Sequence, residues 1–102
     1  MKVISKVVDM IDDELEGAEN YALYALKVKA DFPKLAQKMN ELAGVELQHV
    51  RVLHSEVEKL IQEYRAEKGE PPKEMLAVYE YEHKKAIKKA AEIRSYIEEF
   101  NT

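Results

Sequence analysis

The sequence contains no cysteine, and only three glycines and three prolines among its 102 residues. The absence of cysteine excludes disulfides, thiolate metal sites, iron–sulfur clusters and cysteine nucleophiles, and it fits a reducing compartment. Few glycines and prolines, together with 35% charged residues, are typical of a chain that is helical along most of its length. We therefore expect an all-α protein that forms one domain over residues 1–102.

Two further features are scarce: excess positive charge and long apolar runs. The net charge is −4, which argues against a general binder of nucleic acid or acidic membranes. We find no apolar run long enough for a signal peptide or a spanning helix, and no glycine-rich phosphate loop or serine–histidine–aspartate set. We expect a cytoplasmic protein with no nucleic-acid or membrane partner.

Apolar residues recur at spacings of three and four residues in three segments, which predicts three helices. Their expected bounds are about 3–29, 33–68 and 73–100. In the second segment, Leu35 and Leu42 belong to the stripe that we expect to face the core. Pro33 suits the first turn of the second helix, Asp31 is its expected capping residue, and Gly69 followed by Pro71 and Pro72 ends it. Short loops predict that each helix runs antiparallel to the one before it.

Three polar residues lie in these apolar stripes, where they are least expected: Glu14, Glu46 and His49. A buried carboxylate without a partner costs several kcal/mol or takes up a proton. Glu14 and His49 are equally far from the turn near Asp31 and Phe32, and Glu46 precedes His49 by one helical turn. We expect the three side chains to converge in the core and bind a metal ion. The alternative is a metal-free polar seam in which glutamate pairs with histidine.

Two carboxylates and one imidazole are half of a dinuclear site. Di-iron and di-manganese helix bundles use one glutamate from each of two helices and Glu-x-x-His from each of the other two. A two-fold axis would supply the second half, and four carboxylates would balance two divalent cations. We therefore predict a four-helix bundle completed by homodimerisation, with two Fe ions per site or Mn in their place.

The run ELEGAENYALYA at residues 14–25 resembles the first helix of rubrerythrin-type domains of the ferritin-like superfamily, and LAGVELQH at residues 42–49 resembles their second helix. The resemblance covers about residues 7–60. It matches Glu14, Glu46 and His49 to metal ligands, and Tyr21 to a tyrosine that bonds a ligand carboxylate. Tyr21 is therefore our candidate catalytic residue, with simple packing in the core as the alternative.

The resemblance implies a ferroxidase or peroxide-reducing activity, in which Fe(II) is oxidised at a dinuclear centre with O2 or peroxide as acceptor. Full rubrerythrins have four helices and a cysteine-bound iron domain, and this chain has neither. The shorter form is similar to encapsulated ferritins, which build the site between two chains and lie within a protein shell. No encapsulation tail is evident after Phe100. The alternative function is a metal-free helical oligomerisation module.

A second Glu-x-x-His consists of Glu80 and His83, in the third helix. The turn near Glu70 and Pro71 predicts that His83 lies beside residue 58, more than two helical turns from His49, which is too far to share its metal pair. A site completed by another subunit, or a separate ion bound with Glu58 or His54, remains open. We favour a histidine at a subunit contact for His83 and expect His54 at the surface.

Overall fold

The computed structural model describes residues 2–102, so Met1, the first residue of the predicted domain, lies outside it. Helix α1 spans Lys2–Val28, α2 spans Pro33–Lys68 and α3 spans Lys73–Phe100. The expectation of an all-helical chain with three helices is confirmed. The observed bounds of α2 and α3 match the predicted ones, and α1 begins and ends one residue earlier.

Backbone geometry sets the ends of the helices. The amide of Phe32 donates to the carbonyl of Val28 at 2.8 Å, and Pro33 follows as the first residue of α2. The prediction that Asp31 caps α2 is wrong, because Phe32 is the N-cap residue and no side chain bonds to the free amides there. Gly69 ends α2 with a φ of +86°, a conformation that glycine adopts at little cost.

The three helices form a rod of 56 × 19 × 17 Å. Helices α1 and α2 pair as an antiparallel hairpin, and α3 returns along one side of it in the direction of α1. Two contacts hold α3 there: Lys89 pairs with Glu19, and Lys29 donates to the carbonyl of Phe100. Among residues 2–102, no helix carries an apolar stretch long enough to cross a membrane.

The core of the hairpin is rich in alanine. Five alanines are completely buried where α1 meets α2: Ala18, Ala22, Ala25, Ala36 and Ala43. Their small side chains allow the two helix axes to approach closely. The largest fully buried side chains are Val57 and Ile93, each worth about 1.5–3 kcal/mol relative to exposure. Phe100 closes the turn end of the rod over Ala25 and Ala36.

One face of α2 differs from the sequence-based expectation. Leu35 and Leu42, expected inward, are 44% and 40% exposed. Ala36, Asn40 and Leu47 are buried instead. The reason is that α2 carries two neighbouring apolar stripes, and within one chain only the alanine-rich stripe meets α1. The second stripe flanks the contact and stays open to solvent.

Candidate metal site

Glu14, Glu46 and His49 come together on the α1–α2 hairpin. Each offers one ligand atom, and these atoms all lie within 4.8 Å of one another. Glu14 Oε2 is 3.3 Å from His49 Nδ1. The antiparallel pairing of α1 with α2 sets this contact, since the two residues lie at one level on opposite arms. The structure therefore brings the three predicted ligands together.

The group does not lie in the core of the single chain. The side chains of Glu14 and His49 are 29% and 50% exposed, and Glu46 is half-buried. The expectation of three ligands facing a buried core is therefore wrong for one chain, because α3 covers the other side of the hairpin. The carboxylates avoid the full cost of desolvation only while this side remains open.

The surroundings of the group are apolar. Six side chains lie on the same helix faces as Glu14, Glu46 and His49, at spacings of three and four residues along α1 and α2. They are Met10, Tyr21, Tyr24, Leu35, Met39 and Leu42. We call this surface the open face. Four of its members are at least 40% exposed, and an exposed apolar stripe of this kind is typical of a surface that binds another chain.

Gly17 leaves space beside the carboxylates of the site. The sequence analysis did not identify this glycine as part of the site. It lies one turn after Glu14 on α1, and a Cβ built at this position would lie 3.6 Å from Glu46 Oε2. The Glu46 carboxylate therefore lies directly over the glycine. The signal was present in the sequence, because residue 17 falls on the same helical line as Glu14 and Tyr21.

Tyr21 is half-buried and lines a shallow depression with Tyr24 and Met39. Within residues 2–102 its hydroxyl makes no hydrogen bond to Glu14 or Glu46. Glu14 lies two turns away on the same helix, roughly 10 Å along the axis. The predicted contact between Tyr21 and a ligand carboxylate therefore stays a prediction, one that needs a carboxylate from another chain.

The structure does not bring Glu80 and His83 to the group. Glu80 is exposed, and the ring of His83 stacks on His54 with a centroid separation of 4.0 Å. Among residues 2–102, no set of three candidate ligands contains either residue. Our assignment of a metal site therefore leaves this pair out.

Two expectations about this region are wrong. His83 meets His54, one helical turn from the predicted level beside residue 58, because this level depends on how α3 lies along α2, which the length of the loop alone does not determine. His54 is half-buried against α3, not a surface residue. Its ring Nδ1 lies 3.1 Å from the Tyr79 hydroxyl, a contact that the spacing of residues in α2 alone did not indicate.

Bond lengths test whether a metal ion fits. Bonds from divalent metals to carboxylate and imidazole are about 2.0–2.2 Å, so ligand atoms on opposite sides of one ion are up to about 4.4 Å apart. The observed separations, all within 4.8 Å, need only small rotations of half-exposed side chains. Two carboxylates and an imidazole, without thiolate, suit iron and manganese. The residues therefore fit such an ion.

No protein-family model, curated protein sequence or solved structure matches the chain. The likeness to the ferritin-like superfamily thus rests on the two short motifs and on the place of Glu14, Glu46 and His49 in the hairpin.

Proposed function

We propose that the chain is a di-iron carboxylate protein of the ferritin-like kind, with its dinuclear site between two copies of the chain. The observation that carries the proposal is the convergence of Glu14, Glu46 and His49 in the middle of the open face. The three ligands meet where α3 does not reach, and an identical hairpin is able to cover them. The apolar surface would then bind the second chain, and the ligand cluster would bind the metal ions between the two chains.

A two-fold axis through the open face would complete the chemistry. Two hairpins would form a four-helix bundle, and the site would gain four carboxylates and two imidazoles. The carboxylates would offset the charge of two divalent ions, which lowers the cost of burying the site. Dimerisation and metal binding would then be coupled, since acidic groups facing each other without a cation repel.

Each residue has a proposed task. Glu14, Glu46 and His49 of each chain would hold the ions. Tyr21 donates from its hydroxyl to a ligand carboxylate and holds its orientation. When bound, the iron pair would transfer electrons to O2 or peroxide, so that Fe(II) is both bound and oxidised. Manganese is the alternative ion.

A second candidate is favoured by a separate observation. The 3.3 Å contact between Glu14 and His49 satisfies both groups without an ion, as a polar seam that fixes the register of two helices would. In that case the chain is a metal-free oligomerisation module, and the open face serves assembly alone.

Anaerobic addition of Fe(II), followed by air, separates the two functions. The proposal predicts about one bound Fe per chain and a rise in ferric absorbance faster than in buffer alone. Glu14→Ala should weaken Fe(II) binding at least about 100-fold, because loss of even an indirect partner of a metal costs about 10–100-fold. Glu16→Ala, at an exposed position on the same helix, is the matched control and should bind normally. A wild-type protein that binds no Fe(II) would leave only the assembly module.

A further inference from the structure

Three aromatic rings lie at the contact between the second half of α2 and the first half of α3. The rings of His54 and His83 are parallel within 4°, with centroids 4.0 Å apart. Tyr79 lies nearly parallel to both, at 5.8 Å from His83 and 6.2 Å from His54. We call these three residues the ring stack. Because the imidazoles are face to face, their nitrogen lone pairs run side by side and do not converge on one ion.

The hydrogen bonds of the ring stack can stabilise a proton on His54 but not a second proton on His83. The Tyr79 hydroxyl donates to Glu58 Oε1 at 2.8 Å. Its oxygen then accepts from His54 Nδ1 at 3.1 Å. His54 Nε2 lies 3.6 Å from the same Glu58 oxygen, so a proton there faces a carboxylate. The nitrogens of His83 bond to no group among residues 2–102, and a proton on His83 gains no such partner.

We propose that the ring stack is a proton-operated contact that holds the first half of α3 on α2. With at most one of His54 and His83 protonated, α3 stays docked along its whole length. With both protonated, two imidazolium rings would face each other at 4.0 Å, and residues 73–87 separate from α2. The second half of α3 stays in place, because Glu19 pairs with Lys89 and Ile93 is fully buried.

The other charges around the ring stack do not offset a second proton. Asp12 from α1 and Glu82 from α3 line the same cavity as the rings, and so do Arg51 and Arg94. Lys85 pairs with Glu82 at 3.4 Å. Cations are thus as numerous as carboxylates once Glu58 is included. Glu80 and Lys84 are exposed on the outward side of α3, where water screens them.

The direction of the pH effect follows from burial. Burial lowers the pKa of His54 below its ordinary value of 6.5, the neighbouring His83 lowers it further, and Glu58 opposes both. A histidine whose pKa is lowered by folding favours the undocked state once protons become available. Docking is therefore complete above the ordinary histidine pKa and is lost as the pH falls below it.

Release of α3 would have a defined structural consequence. A cavity of about 160 Å³ lies between the three helices, and the three rings line part of it. Its walls are mainly apolar, with Ile11, Val50 and Ala90 among them. Separation of residues 73–87 would widen this cavity while the α1–α2 hairpin stays folded. Local opening of this kind is measurable by hydrogen exchange.

The test is amide hydrogen exchange on the full chain at about pH 7.5 and about pH 5, corrected for the intrinsic dependence of exchange on pH. The expected result is that protection of residues 73–87 falls at least about 10-fold at the lower pH, whereas α1 changes less than about 3-fold. Equal protection of α3 at both pH values would overturn the proposal.

Two variants and one control sharpen the result. His83→Phe keeps a flat ring on His54 but takes no proton, so α3 should stay protected at about pH 5. His83→Gln removes the stack and should weaken docking at both pH values. Lys84→Gln, at an exposed position on the outward side of α3, should keep the full response. A His83→Phe chain that loses protection as the wild type does would contradict the proposal.

If His83→Phe fails to fold, a second measurement tests whether protonation of the ring stack releases α3. In the wild type, NMR titration of the His54 ring protons should show protonation below the ordinary histidine pKa, and the contacts between α3 and α2 should disappear in the same pH range. Protonation of His54 with α3 docked throughout would contradict the proposal.

Discussion

Glu14 Oε2 and His49 Nδ1 lie 3.3 Å apart across the α1–α2 hairpin, on the side that α3 leaves uncovered. The contact connects two residues that are far apart in sequence but lie at one level of the hairpin. Glu46 completes the group, and each of the three residues has an atom free to turn toward one ion. A metal ion at this site would compete with the Glu14–His49 contact.

Replacement of Glu46 separates metal binding from folding. Glu46→Ala should lose at least about 100-fold in Fe(II) affinity. The free energy of unfolding of the metal-free chain should be unchanged or higher, because the repulsion between Glu14 and Glu46 disappears. Urea unfolding with a chelator present measures the second quantity. Glu63→Ala, at an exposed position on the same helix, is the control. A metal-free Glu46→Ala chain that unfolds would support the polar-seam alternative.

The open face predicts where an assembly is sensitive to charge. Leu42 is 40% exposed on this face, so association buries only this remaining part, and Leu42→Lys loses about 1 kcal/mol of burial from each copy. The loss occurs in both copies of a symmetric dimer, so the dissociation constant should rise at least about 10-fold. Analytical ultracentrifugation measures the change. Val78→Lys, which replaces a side chain 63% exposed on α3, should leave association unaltered. Equal effects of both variants would place the interface elsewhere.

The Tyr79 hydroxyl stabilises the contact between α2 and α3. It bonds both Glu58 and His54, and Tyr79→Phe leaves these two groups without their partner. The free energy of unfolding should fall by about 1–2 kcal/mol, the range for a hydrogen bond that involves a charged group at a partly exposed site. Chemical denaturation at neutral pH measures it. Tyr81→Phe, whose ring is exposed, is the control and should change stability by less than about 0.5 kcal/mol.

The carboxylate of Asp12 should make stability depend on pH in a defined sense. Partial desolvation raises the pKa of Asp12, itself an exposed residue, above its ordinary value of 3.8, and the charge of Glu82 raises it further. A carboxyl group whose pKa is raised by folding destabilises the protein once it ionises. The resulting loss in the free energy of unfolding is absent at low pH and grows as the pH rises through the raised pKa.

Asp12→Asn should therefore be more stable than the wild type near neutral pH, and the difference should vanish below about pH 4. Thermal melts across that pH range measure the difference in stability between Asp12→Asn and the wild type. Asp13→Asn, one position along and exposed, is the matched variant. If the difference in stability were the same at every pH, ionisation of Asp12 would not be its cause.

Much of the fold could be predicted from the sequence because its helix boundaries have local causes. Pro33 and Gly69 mark the ends of α2, and both act through their own backbone geometry. The pairing of Glu14 with His49 was also predictable, because a short turn leaves little freedom in the register of an antiparallel hairpin. Local chemistry and loop length were enough for these features.

The surroundings of the site could not be predicted in the same way. Helix α2 has two apolar stripes, and the sequence alone does not say which one meets α1 and which stays open, so Leu35 and Leu42 were placed inside. The environment of His54 depends on how α3 lies against α2. Its contacts with Tyr79 and His83 follow from that crossing, which short-range spacing does not determine.

The central claim is that two chains share one pair of metal ions held by Glu14, Glu46 and His49. X-ray diffraction from Fe-loaded crystals, with anomalous data collected at the iron edge, tests it most directly. We predict two anomalous peaks about 3.5–4 Å apart, between two hairpins related by a two-fold axis, with these three residues of each chain around them. Peaks elsewhere, or none, with Glu14 and Glu46 facing solvent, would contradict the account.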